Sequence, residues 1–162
     1  MWAKCGAARD CGPVMEGRTL ARGVATGEVV VLEEPLSFWG GMDPREETVV
    51  SEHHPQFKIL LRERVLVMPS GRGSSSSSSV LAEAIRLGTA PAGILLREPN
   101  LIVVLGAVVA RELYGVELPV VALDKKDYRS LSTGETISVD ATGNPATLHS
   151  DTDHRTGGEH GS

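Results

Sequence analysis

Short apolar runs closed by glycine and proline punctuate the middle of the chain. Gly23–Leu32 (GVATGEVVVL) carries a turn and then a β-branched run, and Ile59–Met68 ends in VLVM just before Pro69. Gly93–Leu96 (GILL), Pro119–Leu123 (PVVAL) and Thr136–Val139 complete the set. Runs of this length bounded by turn residues predict strands. Helical spacing occurs at Val80, Leu81, Ala84, Ile85 and Leu87, with Gly88 where a helix C-terminus is expected, and again across Leu105–Leu113. Strand-rich flanks around alternating strands and helices predict one mixed α/β domain.

The ends break the pattern. Residues 1–16 show no period and read as an N-terminal extension. Residues 149–162 hold essentially no apolar side chain and read as a disordered tail, which leaves 17–148 as the folded domain. His149, His154 and His160 in that tail are potential metal ligands, but a solvated tail is the simpler reading.

Composition narrows the function classes. Apolar residues make up 41% and charged residues 23% of 162, an ordinary globular balance. Aromatics at 4% argue against a base-stacking surface and a net charge of −5 gives no polyanion-binding signature, so no nucleic-acid partner is expected. The longest apolar run, Leu101–Ala110, is too short to cross a bilayer, and nothing resembles a signal peptide. Cys5 and Cys11 are too few for a disulfide scaffold or a zinc site. The expectation is a soluble, cytoplasmic protein that binds no metal of its own and has no membrane partner.

The chemistry concentrates in one stretch, VLVMPSGRGSSSSSSVLAEAIRLG, Val65–Gly88. A Gly/Ser tract is by default a flexible linker. Here a strand precedes it and a helix follows, so a strand–turn–helix unit fits better. Gly71-Arg72-Gly73 lets the backbone approach a ligand, and the helix N-terminus adds unpaired N–H groups and partial positive charge, together an anion site. Plain serine capping of the helix explains the same residues equally well. A reactive serine is a third reading. The tract lacks the Lys-Ser/Thr of a nucleotide phosphate loop, Ser76 stands where a dinucleotide fingerprint needs its third glycine, and no Gly-x-Ser-x-Gly elbow occurs.

The same stretch resembles the serine loop of aconitase-superfamily swivel domains. ARGVATGEVVVLEEPLSFWGGMDP (Ala21–Pro44), EHHPQ (Glu52–Gln56), LPVV and STGETISVD, together with GRGSS, are similar to the aconitase X swivel family from about Gly17 to Asp140. The resemblance implies a swivelling β/β/α fold and a dehydratase in two parts. The large part, expected as a separate subunit forming at least a heterodimer, carries an iron–sulfur cluster and most of the active site. The swivel part supplies a serine base. That base matches Ser74, with Ser75 and Gly73 helping to hold a small hydroxy acid. Aconitases place an arginine two residues beyond the base, whereas this chain has Ser76, so Arg72 or the partner must grip the substrate carboxylate; Arg72 as a solvated turn residue is equally compatible. The family implies dehydration of cis-3-hydroxy-L-proline or, alternatively, of mevalonate 5-phosphate; a non-catalytic anion-binding or assembly module is the reading from another class.

Elsewhere, the resemblance puts Gly40 and Gly41 near the mouth of the site. Phe38 and Trp39 read as core or subunit-contact residues, His53 and His54 as surface residues before Pro55, Arg97 and Glu98 as exposed beside a turn, and Asp140 as a turn carboxylate.

Overall fold

The computed structural model describes residues 14–55, 57–71 and 75–151. Seven strands run in the order β1 (Val14–Ala21), β2 (Val24–Val31), β3 (Val65–Met68), β4 (Gly93–Leu96), β5 (Val120–Ala122), β6 (Thr136–Asp140) and β7 (Ala146–Asp151). They close into a barrel in the spatial order β1-β5-β4-β3-β2-β6-β7. The neighbours β2, β3, β4 and β5 pair in parallel, and the remaining pairs, including β7 with β1, are antiparallel. Parallel neighbours need long crossovers. Helix α2 (Ser75–Leu87) links β3 to β4, and α3 (Leu101–Tyr114) links β4 to β5. A one-turn helix α1 (Phe38–Gly41) lies between β2 and β3, and α4 (Lys125–Ser130) follows β5.

The period-2 alternation of strand side chains builds two cores. Val29, Val65, Val67, Leu95 and Val121 point into the barrel with Ile137, Val139 and Leu148. Their neighbours Val30, Leu66, Met68, Ile94, Leu96 and Val120 face outward, beneath Leu81, Ala84 and Ile85 of α2 and Val103, Ala107 and Ala110 of α3. The parallel strands are therefore covered on both faces, which is why VLVM and GILL read as unbroken apolar runs.

The expected α/β class holds, with corrections at the boundaries. Val14–Glu16, assigned above to the N-terminal extension, belong to β1, and His149–Asp151, assigned to the tail, belong to β7. The pairing of Val14–Gly17 with Ala146–His149 closes the barrel. The strand expected over Ile59–Met68 is confined to Val65–Met68. Ile59–Leu61 instead pair back onto the preceding loop, through Val49 N–H to the Ile59 carbonyl (3.1 Å) and Leu61 N–H to the Glu47 carbonyl (2.8 Å). Helix α2 begins at Ser75 instead of Val80, and α3 at Leu101 instead of Leu105. Among the described residues no helix is long and apolar enough to cross a membrane.

Candidate functional site

The carboxyl ends of β3, β4 and β5 open onto one edge of the parallel sheet, the place where such sheets bind ligands. The chain leaves β3 there through Pro69–Gly71. Arg72, Gly73 and Ser74, three of the expected site residues, are outside the described residues, as is the side chain of Ser75, the first residue of α2. The structure instead defines what frames them.

On the entry side, Gly71 is gripped from two directions. It forms a parallel bridge with Leu36, and its carbonyl accepts from Asn100 Nδ2 at 3.2 Å. The same Asn100 caps α3, its Oδ1 accepting from Val103 N–H at 3.1 Å. A Cβ on Gly71 would sit 2.6 Å from Val103 Cγ2 and 2.7 Å from Asn100 Oδ1, so any larger residue must displace those two side chains.

On the exit side, serines run directly into the helix. Ser77 and Ser78 are buried, and each hydroxyl leaves the helix to reach another element. Ser77 Oγ lies 3.2 Å from Ser37 Oγ, and Ser78 Oγ donates to the Ile102 carbonyl at 2.8 Å. Ser76 and Ser79 are exposed. The first turn of this thirteen-residue helix carries no acidic side chain, so its N–H groups and partial positive charge are not neutralised from within the turn.

Beside the turn, Leu36, Ser37, Gly40 and Gly41 line a pocket of about 300 Å³ with Ser51, His53 and His54. Gly40 has φ +79, the left-handed region glycine favours, and is exposed. Gly41 is buried, and its carbonyl accepts from Val50 N–H at 2.9 Å. The glycine pair thus forms one wall of a pocket adjoining the serine tract. Phe38 is core, 1% exposed.

One histidine departs from the expectation. His53 is exposed, but His54 is 8% exposed, and its Nε2 lies 3.2 Å from the Glu34 carbonyl. Burial of a polar ring demands such a partner. Nothing in HHP separates the two histidines, because the hairpin beneath them selects which faces inward. Ser37 and Asn100 were also not singled out above. Asparagine directly before an apolar helical run is an N-cap signature, so Asn100 was legible in principle; Ser37 was not.

Arg97 and Glu98 lie at the carboxyl end of β4, both exposed and 3.8 Å apart. Asp140 is the turn carboxylate expected, with Oδ1 accepting from Thr142 Oγ1 at 2.7 Å and Thr142 N–H at 3.0 Å. Those bonds, the hydroxyl first, hold its carboxyl below the ordinary aspartate range. Among the described residues no three His, Cys, Asp or Glu side chains converge as a metal donor set.

A seven-stranded barrel whose parallel half is crossed by helices, with a serine-opened helix at its carboxyl edge, defines a swivelling α/β domain. Residues 14–147 match the family model described as the aconitase X swivel domain, and the chain belongs to that family. Over 85% of its length it superposes on 98% of a chain in the crystal structure of Thermococcus kodakaraensis aconitase X, with a TM-score of 0.74 and 32% identity. It is 51% identical over 109 residues to a cis-3-hydroxy-L-proline dehydratase of Pseudomonas aeruginosa, covering 67% of this chain and 19% of that protein. A protein of the same name from Hypocrea jecorina is 37% identical over 76% of this chain and 21% of its own. The chain thus spans about a fifth of the length of these two relatives. The phosphomevalonate dehydratase small subunit of Methanosarcina acetivorans is 36% identical over 79% of this chain and 85% of its own length.

Proposed function

We propose that this chain is the swivel part of a two-part hydro-lyase and supplies Ser74 as the base that dehydrates a β-hydroxy carboxylate, cis-3-hydroxy-L-proline foremost. The observation that carries the reading is the serine tract opening α2 at the carboxyl edge of the parallel strands, with no acid in the helix's first turn. The choice of substrate rests on the name of the Pseudomonas aeruginosa relative, 51% identical to this chain.

An α-proton beside a carboxylate is weakly acidic, so the base must be strong and within hydrogen-bond reach. A serine alkoxide at a helix N-terminus meets that need, because aligned N–H groups and the helix dipole stabilise the anion. Ser74 Oγ takes the α-proton and becomes a hydroxyl. The electron pair left on the α-carbon forms the double bond to the β-carbon as the C–O bond breaks, and the departing hydroxide takes the proton held by Ser74, so that water is released and the serine alkoxide is regenerated. Gly73 and Ser75 would orient the carboxylate, and Arg72 would pair with it. The large part is the expected holder of an iron–sulfur cluster, whose Lewis acidity assists the leaving hydroxyl when it is bound. In the Pseudomonas aeruginosa relative, four-fifths of the protein lies outside the match, ample length for such a part.

A second reading, dehydration of mevalonate 5-phosphate, is favoured by the Methanosarcina acetivorans small subunit, whose length this chain matches over 85%. A phosphate would require further cations beyond Arg72, supplied by the large part.

The test is anaerobic assembly with a large aconitase X subunit and assay on both substrates. Turnover of the hydroxyproline, lowered by about 10³-fold or more in Ser74→Ala while the assembly still forms, is expected. Turnover of mevalonate 5-phosphate alone selects the second reading. Full activity in Ser74→Ala overturns the serine base, and inactivity on both substrates returns the turn to anion binding or capping.

A further inference from the structure

Among the described residues, His54 is a buried polar side chain to which the proposed chemistry assigns no role. It sits at the tip of a hairpin-like excursion. Val49 and Ile59 pair at its base, with Lys58 N–H donating to the Val49 carbonyl at 2.8 Å. The backbone at the tip is closed twice: His54 N–H donates to the Ser51 carbonyl and Phe57 N–H to the His54 carbonyl, both at 3.1 Å. The imidazole therefore projects from a fixed backbone. It meets the Glu34 carbonyl through Nε2 at 3.2 Å. A carbonyl oxygen only accepts, so Nε2 carries the proton and donates.

What Glu34 leads into gives the contact its meaning. Two residues on, Leu36 bridges Gly71 immediately before the serine turn. Ser37 then meets Ser77 in the first turn of α2, Oγ to Oγ 3.2 Å. One short segment, 34–37, thus holds both ends of the turn, and the His54 donor ties that segment to the hairpin behind it. We propose that His54 is a positioning residue for the serine turn. Its Nε2–H pins the Glu34 carbonyl, so that Leu36 and Ser37 clamp Gly71 and the first turn of α2 in register. The consequence for catalysis rests on the functional reading above; the consequence for the clamp does not.

The test compares His54→Leu, which removes the donor, with His54→Gln, whose Nε2 stands the same number of bonds from Cα and can donate to the same carbonyl. Amide hydrogen exchange in the free chain is read over residues 33–41 and 65–81, with β6 as internal reference. Exchange about tenfold faster or more in His54→Leu, confined to those two segments, and return to within about threefold of wild type in His54→Gln are expected. In the assembled enzyme, His54→Leu should lower kcat by about 10–100-fold with KM changed less than about threefold, and His54→Gln should recover most of it. His54→Leu matching wild type in exchange, or His54→Gln as perturbed as His54→Leu, overturns the proposal. Should His54→Leu fail to fold, His54→Gln alone decides, since wild-type exchange there requires that the donor be what matters. Inactivity of the wild-type assembly would count against the functional reading, and the exchange measurement would still decide the role of His54.

Discussion

Gly71 and Asn100 show how a site is framed by single atoms. Asn100 bonds with both ends of its amide, one to the N-terminus of α3 and one to the carbonyl before the serine turn. Asn100→Ala loses both, and a cost of about 1–2 kcal/mol is expected from urea denaturation. Gly71→Ala must push against Val103 and Asn100, and about 1–3 kcal/mol is expected, with the loss non-additive in the double variant because the two residues share a bond. Asp140 gives a pH signature. Its carboxyl is held below the ordinary range by Thr142, so the folded state favours the ionised form. The stability it contributes is complete above an unfolded aspartate pKa of about 3.9 and is lost as the pH falls from there through the lower folded value. Thr142→Val, which removes the hydroxyl donor that does most to lower this pKa, should flatten the decline in urea midpoint across that acid range and leave the midpoint's shape near neutrality unchanged.

At the scale of elements, the serine tract is where propensity and packing part company. Serine is a middling helix former whose hydroxyl competes for backbone groups, so the tract alone predicts a turn or a late helix start. Ser77 and Ser78 are helical because their hydroxyls find partners on α1's approach and on α3, and because their small size admits those neighbours. The close approach is reciprocal. A Cβ on Gly106 of α3 would stand 3.0 Å from both Leu81 Cδ2 and the Ser78 carbonyl. Gly106→Val, larger still, should separate the helices, cost about 1–3 kcal/mol in urea denaturation, and lower kcat more than it raises KM, since α2 carries the serine turn at its N-terminus.

At the scale of the molecule, the barrel depends on its last strand. β7 pairs with β6 on one side and β1 on the other, and Leu148 fills the interior at 0% exposure. Truncation after Asp140 would leave two long strand edges unpaired and part of the core open. Self-association on size-exclusion chromatography and loss of a cooperative unfolding transition are expected; a monomeric, cooperatively unfolding product would show that the parallel half stands alone. Much of this architecture was readable beforehand. GILL, PVVAL and TISV are short, apolar and bounded by turn residues, and each is a strand within a residue or so of its expected limits. The helix after the serine tract was legible from Val80 on, where its apolar spacing begins, but not over Ser75–Ser79. β1 and β7 were not, because VMEGRTLA and ATLHSD carry too few apolar positions to declare themselves and become strands only by pairing with each other and with β5 and β6. The sequence by itself therefore determined the local grammar: which apolar runs are strands, that a helix follows the serine tract, and which family motif the chain carries. Tertiary structure decided what depends on distant neighbours. It selected His54 over His53 for burial, brought residues 34–37 against both ends of the turn, and joined the first strand to the last. Those outcomes follow from contacts between segments far apart in the chain, and no periodicity within a short window encodes them.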